Sequence, residues 1–295
     1  MANVSARLRR LRQILFHPAN RGHWLRAATR TASFRKAVAR NAPVDLPYGL
    51  GTYIRCWPDS NVARSIAYFG GLYDHNEMSF LVSYLRPGDA VLDAGANIGS
   101  YSILAAALVG ARGLVVAIEP IEGTASRLRE NIALNGFQSR IQVHQVAVGE
   151  VAGCADMTIG LDSVNRVLTH DEGTGMRVQV RTLDDIVGSR QLAFAKLDVE
   201  GMEWNALRGA KAMLGRRSPP IWMVEINGAH FRYGHRTEAF LAWMRESGFA
   251  PAQYSARRNA LRLCQDPWDD VLFVATECLP SVVARIPGLR VEQFR

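Results

Sequence analysis

The stretch Val91-Leu92-Asp93-Ala94-Gly95-Ala96-Asn97-Ile98-Gly99 constrains this chain more than any other. It reads as a buried strand, an acid at the strand end, a glycine turn and a helix start. The acid selects the ligand. A glycine turn that cradles a pyrophosphate has no place for a carboxylate, which would repel it. Asp93 comes two residues before Gly95, so the turn suits a ligand with positive charge. S-adenosylmethionine carries an ammonium, a sulfonium and one carboxylate. Gly95 lets the backbone approach without a Cβ in the way. The next acid at a strand end is Glu119, closing Leu114-Val115-Val116-Ala117-Ile118-Glu119. A carboxylate there can accept both hydroxyls of a ribose. Asp93 and Glu119 on neighbouring strands predict an adenosylmethionine pocket.

Strands and helices alternate beyond this point. Strands are expected at Val91–Asp93, Leu114–Glu119, Ile141–Val148, Phe194–Val199 and Ile221–Ile226, with helices between them. Apolar strands in such alternation predict a parallel sheet covered on both faces. Two alternating runs, Ala155–Ile159 and Met176–Arg181, read as an inserted hairpin, and Pro251–Ser255 with Asp270–Ala275 as a closing one. Before the first strand lie a strand-like piece at Thr52–Trp57, a Gly70-Gly71 turn and a helix running into Leu85.

The charge is unevenly placed. Residues 1–44 hold ten cations and no acid, against a net charge of +8 for the whole chain, so the remainder sums to −2. The basic character belongs to an N-terminal arm. Leu8, Leu11, Ile14 and Leu15 give that arm one apolar face at helical spacing. Such a helix either packs on the protein's own body with a solvated basic face, or lies on an anionic membrane or partner; a transit peptide is a third reading. Cys56, Cys154, Cys264 and Cys278 show no CxxC spacing, which argues against a zinc knuckle or disulfide framework and fits a reducing, cytoplasmic setting. No apolar run reaches the ~18 residues of a spanning helix, and no secretory h-region is expected.

In open α/β sheets the ligand lies beyond the carboxyl ends of the strands. The polar residues there are Asp93, Glu119, Asp198 with Glu200, and Glu225 with Asn227. Helix capping accounts for any one of these acids, Glu200 or Glu203 included, but not for all together.

The blocks Gly88-Asp89-Ala90-Val91-Leu92-Asp93-Ala94-Gly95-Ala96-Asn97-Ile98-Gly99, Thr182-Leu183-Asp184-Asp185, Lys196-Leu197-Asp198-Val199-Glu200-Gly201-Met202-Glu203 and Val224-Glu225-Ile226 occur in this order. From about Gly70 to Ala275 the chain resembles the FkbM family of adenosylmethionine-dependent methyltransferases. The first block marks only a class I methyltransferase, and the Leu-Asp-Val-Glu-Gly block is the more specific. The resemblance implies a doubly wound α/β fold: a mostly parallel, seven-stranded Rossmann-like sheet with an antiparallel closing hairpin, behind a helical, basic N-terminal extension. The expected divisions are the arm at 1–45, a lead-in or cap segment at 46–88, the methyltransferase domain at 89–280 and a tail at 281–295. The implied activity is O-methylation of a hydroxyl on a sugar, glycan or polyketide-like natural product.

Carried onto this sequence, Asp93, Gly95, Asn97 and Gly99 are expected to shape the methionine end of the cofactor site, Glu119 to hold the ribose, and Ala147 to meet the adenine through its backbone. Glu77 is positioned to close over the cofactor. A sugar hydroxyl is a weak acid, so a base that takes its proton helps. The candidates are Asp198, Glu200, Glu225 and His230, with Asp198 first because it ends strand four. Lys196 shares its strand face and can pair with an acid. Asp198, Glu200 and Glu225 also offer oxygen ligands for Mg²⁺, although capping explains part of that cluster, and no metal is assigned. Two other function classes are weighed: a non-catalytic cofactor-binding scaffold, and a nucleic-acid methyltransferase. The second lacks an Asn/Asp-Pro-Pro-aromatic loop after strand four, and its acidic body repels phosphates. Segments 48–75, 150–181 and 227–236 are expected to wall the acceptor.

Overall fold

The computed structural model describes residue 14, residues 16–169 and residues 175–293. Leu8, Leu11 and Leu15 of the expected apolar face lie outside the described residues; Ile14 is buried.

The strands in chain order are β1 (Val44–Gly49), β2 (Thr52–Cys56), β3 (Ala90–Ala94), β4 (Leu114–Ile118), β5 (Ile141–His144), β6 (Ala147–Val148), β7 (Gly153–Met157), β8 (Met176–Arg181), β9 (Phe194–Leu197), β10 (Ile221–Ile226), β11 (Phe249–Ser255), β12 (Ala260–Leu263), β13 (Asp269–Ala275) and β14 (Arg290–Gln293). The main sheet runs β14-β12-β11-β13-β10-β9-β3-β4-β5. From β10 to β5 all neighbours are parallel, and β13 enters antiparallel between β10 and β11. These seven strands match the expected sheet. Two more extend it to nine: β12 returns antiparallel along β11, and β14 pairs parallel with β12. Residues 281–293 are therefore not a tail. Helix Leu279–Arg285 and β14 close that edge, and Arg285 pairs with Asp89 and lies over the Tyr84 ring.

The chain winds outward through β3, β4 and β5, then returns to place β9 on the other side of β3. The direction of winding reverses between β3 and β9, where a doubly wound sheet opens a crevice at its carboxyl edge. The register there sets Asp93 directly beside Lys196 and Ala94 beside Leu197.

The expected third strand is broken. Its first half stays in the main sheet as β5, and its second half leaves as β6 to join the β7–β8 hairpin in a separate three-stranded sheet. No glycine or proline interrupts Ile141–Val148, so the sequence carries no turn signal at this change of partner. Between β9 and β10 the chain forms two short helices, Glu203–Arg208 and Lys211–Gly215. Gly209 sits at the break, and an added Cβ there would lie 2.1 Å from the Gly149 carbonyl oxygen.

The basic segment packs on the body. Helix Trp24–Arg40 buries Ala27, Thr31, Phe34 and Ala37, and Arg30 donates to the carbonyl oxygens of Ala67 and Tyr68. Its outer face stays basic and solvated. β1 and β2 form an antiparallel hairpin whose free edge is met by side chains of helix Glu122–Leu134 and its cap. Asn131 Oδ1 accepts from the Arg55 N–H at 2.7 Å, and the Asn135 amide both accepts from and donates to the Tyr53 backbone. Pairing of this kind satisfies an exposed strand edge.

Candidate active site

The crevice at the switch point encloses a cavity of about 340 Å³. On its β3–β4 side the chain turns tightly. Gly95 has φ +83°, and a Cβ on it would lie 1.8 Å from the Asp198 carbonyl oxygen, so only glycine allows these two strand ends to approach. Asp93 is buried. One oxygen accepts from the Ser102 hydroxyl at 2.6 Å, and the other, Oδ1, has no partner. Burial pushes its carboxyl up, and Lys196 and the Ser102 bond offset part of that. Glu119 is also buried. Its oxygens accept from the Asn97 N–H and the Ile121 N–H, both at 3.0 Å. Burial still carries this carboxyl up to about 7 against those two bonds.

On the β9–β10 side the acids face one another. Carboxylate oxygens of Asp198, Glu200 and Glu225 all lie within 4.8 Å of each other. Asp198 is held by the Lys196 ammonium at 2.7 Å. Lys196 is buried and lies over the Tyr101 ring, 4.8 Å from its centroid. Burial alone would discharge the ammonium, but Asp198 and Asp93 together outweigh it and keep it charged. Glu200 is pushed up to about 7 by burial and then by Asp198 and Glu203. Glu225 is raised further, by burial first and then by Asp198 and Glu200, so it holds its proton at neutral pH. Glu203 explains how Glu200 reaches the cavity. The Glu203 carboxylate turns back and accepts from the Val199 and Gly201 N–H groups at 2.9 and 3.1 Å. It caps the loop, and Glu200, at φ +55°, is turned toward the cavity.

A methyltransferase FkbM domain model matches residues 93–251, more than half of the chain. The chain belongs to the FkbM methyltransferase family. The cofactor of its site is S-adenosylmethionine. The chain is similar to the FkbM methyltransferase of Methylobacillus flagellatus KT, at 21% identity over 72% of this chain and 52% of that one, with a TM-score of 0.44. It therefore spans about half the length of that protein. It is also similar to an SAM-dependent O-methyltransferase from Thermotoga maritima, at 15% identity over 67% of this chain and 63% of that one, TM-score 0.39. A third likeness is to Aeropyrum pernix fibrillarin with natively bound S-adenosyl-L-methionine, at 11% identity over 68% of this chain and 73% of that one, TM-score 0.38. No curated protein matches the chain.

The residues fit this cofactor. The unpartnered Asp93 Oδ1 is an acceptor for a cationic group. Each Glu119 oxygen keeps a lone pair after its backbone bond, since a carboxylate oxygen accepts twice. Gly95, Asn97, Glu119 and Ala147 line the cavity with Asp93, and so do Asp198, Glu200 and Glu225.

Three expected site residues are placed elsewhere. Gly99 is a packing residue: its φ is +96°, and a Cβ would strike the Leu128 side chain at 2.5 Å. Glu77 does not line the cavity. Asp74 does, at the cap of the same helix, while Glu77 is half-buried near Asp270 and Asp269. His230 is no base for this cavity. It is buried, bonds Thr237 Oγ1 through Nε2 at 2.8 Å, and lines a separate small cavity behind Glu225.

Sequence reasoning missed Ser100 and Tyr101, and reached Tyr73 and Asp74 only as part of the expected wall segment 48–75. Tyr73 and Ser100 share a hydroxyl contact at 2.8 Å, and Tyr101 donates to Asp74 at 3.1 Å. All four line the cavity. The cap segment before β3 carries no readable motif, so nothing in the sequence brought Tyr73 and Asp74 to the first turn of helix Ser100–Val109. Asp270 was missed as well, although β13 was expected: its register sets it opposite Glu225.

Proposed function

We propose that the chain is an S-adenosylmethionine-dependent O-methyltransferase acting on a hydroxyl of a sugar, glycan or polyketide-like natural product. The observation that carries this reading is the state of Asp198. It lies in the same cavity as Asp93, is fixed by Lys196 at 2.7 Å, and stands beside a Glu225 that keeps its proton. Of the β9–β10 acids, Asp198 is the one both ion-paired and placed at the meeting of the two strand ends.

The bound cofactor supplies a methyl group on a sulfonium, which leaves without acid assistance. Asp93, Gly95 and Asn97 position its methionine end, Glu119 the ribose, and Ala147 the adenine. Asp198 then accepts the proton of the incoming hydroxyl, a contribution of about 10²–10⁴-fold. Lys196 holds the Asp198 carboxylate in place and balances its charge. Glu225 and Glu200 donate to or accept from neighbouring acceptor hydroxyls. In-line attack otherwise needs mainly positioning. The decisive experiment is a methyl-transfer screen of free and lipid-linked glycans, read by mass gain. Binding of adenosylmethionine with no transfer to any acceptor would favour a cofactor-binding scaffold instead.

The grouping of Asp198, Glu200 and Glu225 favours a second reading of the same step. Three carboxylates within 4.8 Å are hard oxygen donors suited to Mg²⁺. EDTA separates the two: it abolishes turnover under this reading and leaves it unchanged under the first.

We also propose that the N-terminal segment meets an anionic membrane from the cytoplasmic side. Phe16, Trp24 and Leu25 are 72%, 58% and 62% exposed within a segment of arginines and no acids. Apolar anchors among cations suit an anionic interface. Among the described residues no helix is long and apolar enough to cross a membrane. Cosedimentation with anionic but not neutral vesicles is expected, and equal sedimentation with both would sink the idea.

A further inference from the structure

Two large aromatic side chains stand in solvent at the carboxyl rim of β10. Phe231 is 54% exposed and Trp268 is 47% exposed. The sheet puts them together. The β10–β13 register pairs Glu225 with Asp270 and Ile226 with Asp269, so Trp268 falls beside Asn227 at the end of the ladder. On the other strand the chain turns at once: Asn227 Oδ1 accepts from the Ala229 N–H at 2.9 Å, and Gly228 takes φ +87°. A Cβ on Gly228 would lie 3.4 Å from both Phe231 Cδ2 and Trp268 Cη2. The two rings therefore converge on one glycine, next to Asn227 and Glu225 of the cavity lining.

The Phe231 ring and the Trp268 backbone are held. Phe231 lies against the His230 imidazole at 4.5 Å between centroids, and His230 is anchored to Thr237. The Trp268 carbonyl accepts from Gln253 Nε2 at 3.1 Å. Apolar rings left half in water beside a polar cavity mark a binding surface. The ligand they suit has an apolar C–H face for the rings and hydroxyl edges for the carboxylates and amide below. A pyranose ring has both, and a phosphate or carboxylate would meet an acidic wall instead.

We propose that Trp268 and Phe231 form a sugar platform that seats a pyranose ring of the acceptor at the mouth of the cavity. The platform rests on the methyltransferase reading for its purpose, but not for its detection. His230 serves it as a positioning residue, through Phe231. Gly228 suits this turn because its φ of +87° strains any other residue.

The test measures binding without turnover. Saturation-transfer NMR on the full chain, with a panel of methyl pyranosides and neutral trisaccharides, is expected to mark the ring C–H protons of at least one of them. Trp268→Ala and Phe231→Ala are expected to weaken that binding about fivefold or more each, with Trp268→Phe recovering part of it. Adenosylmethionine affinity, measured alongside by calorimetry, is expected to stay at the wild-type value in all three. Because both side chains are exposed, that unchanged affinity also reports an intact fold. If the wild-type chain binds adenosylmethionine but no pyranoside, the platform is wrong and the cofactor reading stands. Equal pyranoside binding by the alanine variants and the wild type also overturns it. If pyranosides bind through Trp268 but adenosylmethionine does not bind, the platform stands and the methyl-transfer reading falls.

Discussion

The cofactor half and the acceptor half of the cavity are built by different means. On the β3–β4 side each acid is held by its own neighbourhood: Asp93 by Ser102, Glu119 by the backbone of Asn97 and Ile121. On the β9–β10 side the acids face each other around Lys196, and the walls come from distant segments. Tyr233 donates to the Val167 carbonyl at 2.7 Å, and the Asn61 N–H donates to Asp162 at 2.6 Å. Under the proposed function the first half is a preformed cradle for one constant ligand. The second is an assembled one, in which loops decide what fits and the charges are left in tension. That contrast matches a constant donor and a variable acceptor.

The contrast predicts which substitutions affect which substrate. The largest effect belongs to Asp198. Asp198→Asn keeps the shape and removes the base, and turnover is expected to fall by about 10²-fold or more while adenosylmethionine affinity holds. Wild-type turnover in that variant would move the base to Glu225 and break the division of labour.

Next come the cradle residues. Asp93→Ala and Glu119→Ala are each expected to weaken adenosylmethionine binding about tenfold, or ~1.4 kcal/mol, as read by calorimetry. Acceptor binding is expected to stay unchanged. If acceptor affinity falls equally, the two halves are one coupled site.

A smaller effect is expected from Tyr233→Phe. It removes one tie between the two acceptor loops, worth about 1 kcal/mol, so KM for the acceptor rises roughly fivefold. A change in kcat alone would place Tyr233 closer to the chemistry than its bond to Val167 suggests.

The smallest effect concerns pH. Glu119 and Glu200 are pushed from 4.5 up to about 7 by burial. The folded chain therefore keeps protons that the unfolded chain has released. This contribution to stability is full below the unfolded value and is lost as pH climbs through the folded one. Tm without cofactor is expected to drop by a few degrees between about pH 5 and pH 8. Added adenosylmethionine should flatten the drop, since a cationic ligand favours the ionised carboxylates. A Tm that rises over this range would mean these carboxyls are not desolvated.

The sequence by itself determined the parallel sheet, the family and the cofactor acids. Asp93, Gly95 and Glu119 sit at strand ends that short apolar runs announce, although the Asp198 carbonyl that Gly95 admits comes from a distant strand. Asp198, Glu200 and Glu225 were legible for the same reason: strand-end position is a local property. Tertiary structure alone decided the rest. Only folding could split Ile141–Val148 between two sheets, because no glycine or proline marks the break. Only the β10–β13 register could set Trp268 beside Asn227, about 40 residues away, and turn His230 from the cavity toward Thr237. Helical spacing exposed a basic face on the N-terminal segment, but the packing of Ala27, Thr31 and Phe34 on the body followed from shape that no motif encodes. Local chemistry is written in short windows of sequence. Which windows meet depends on register and packing, and these are settled by the whole chain at once.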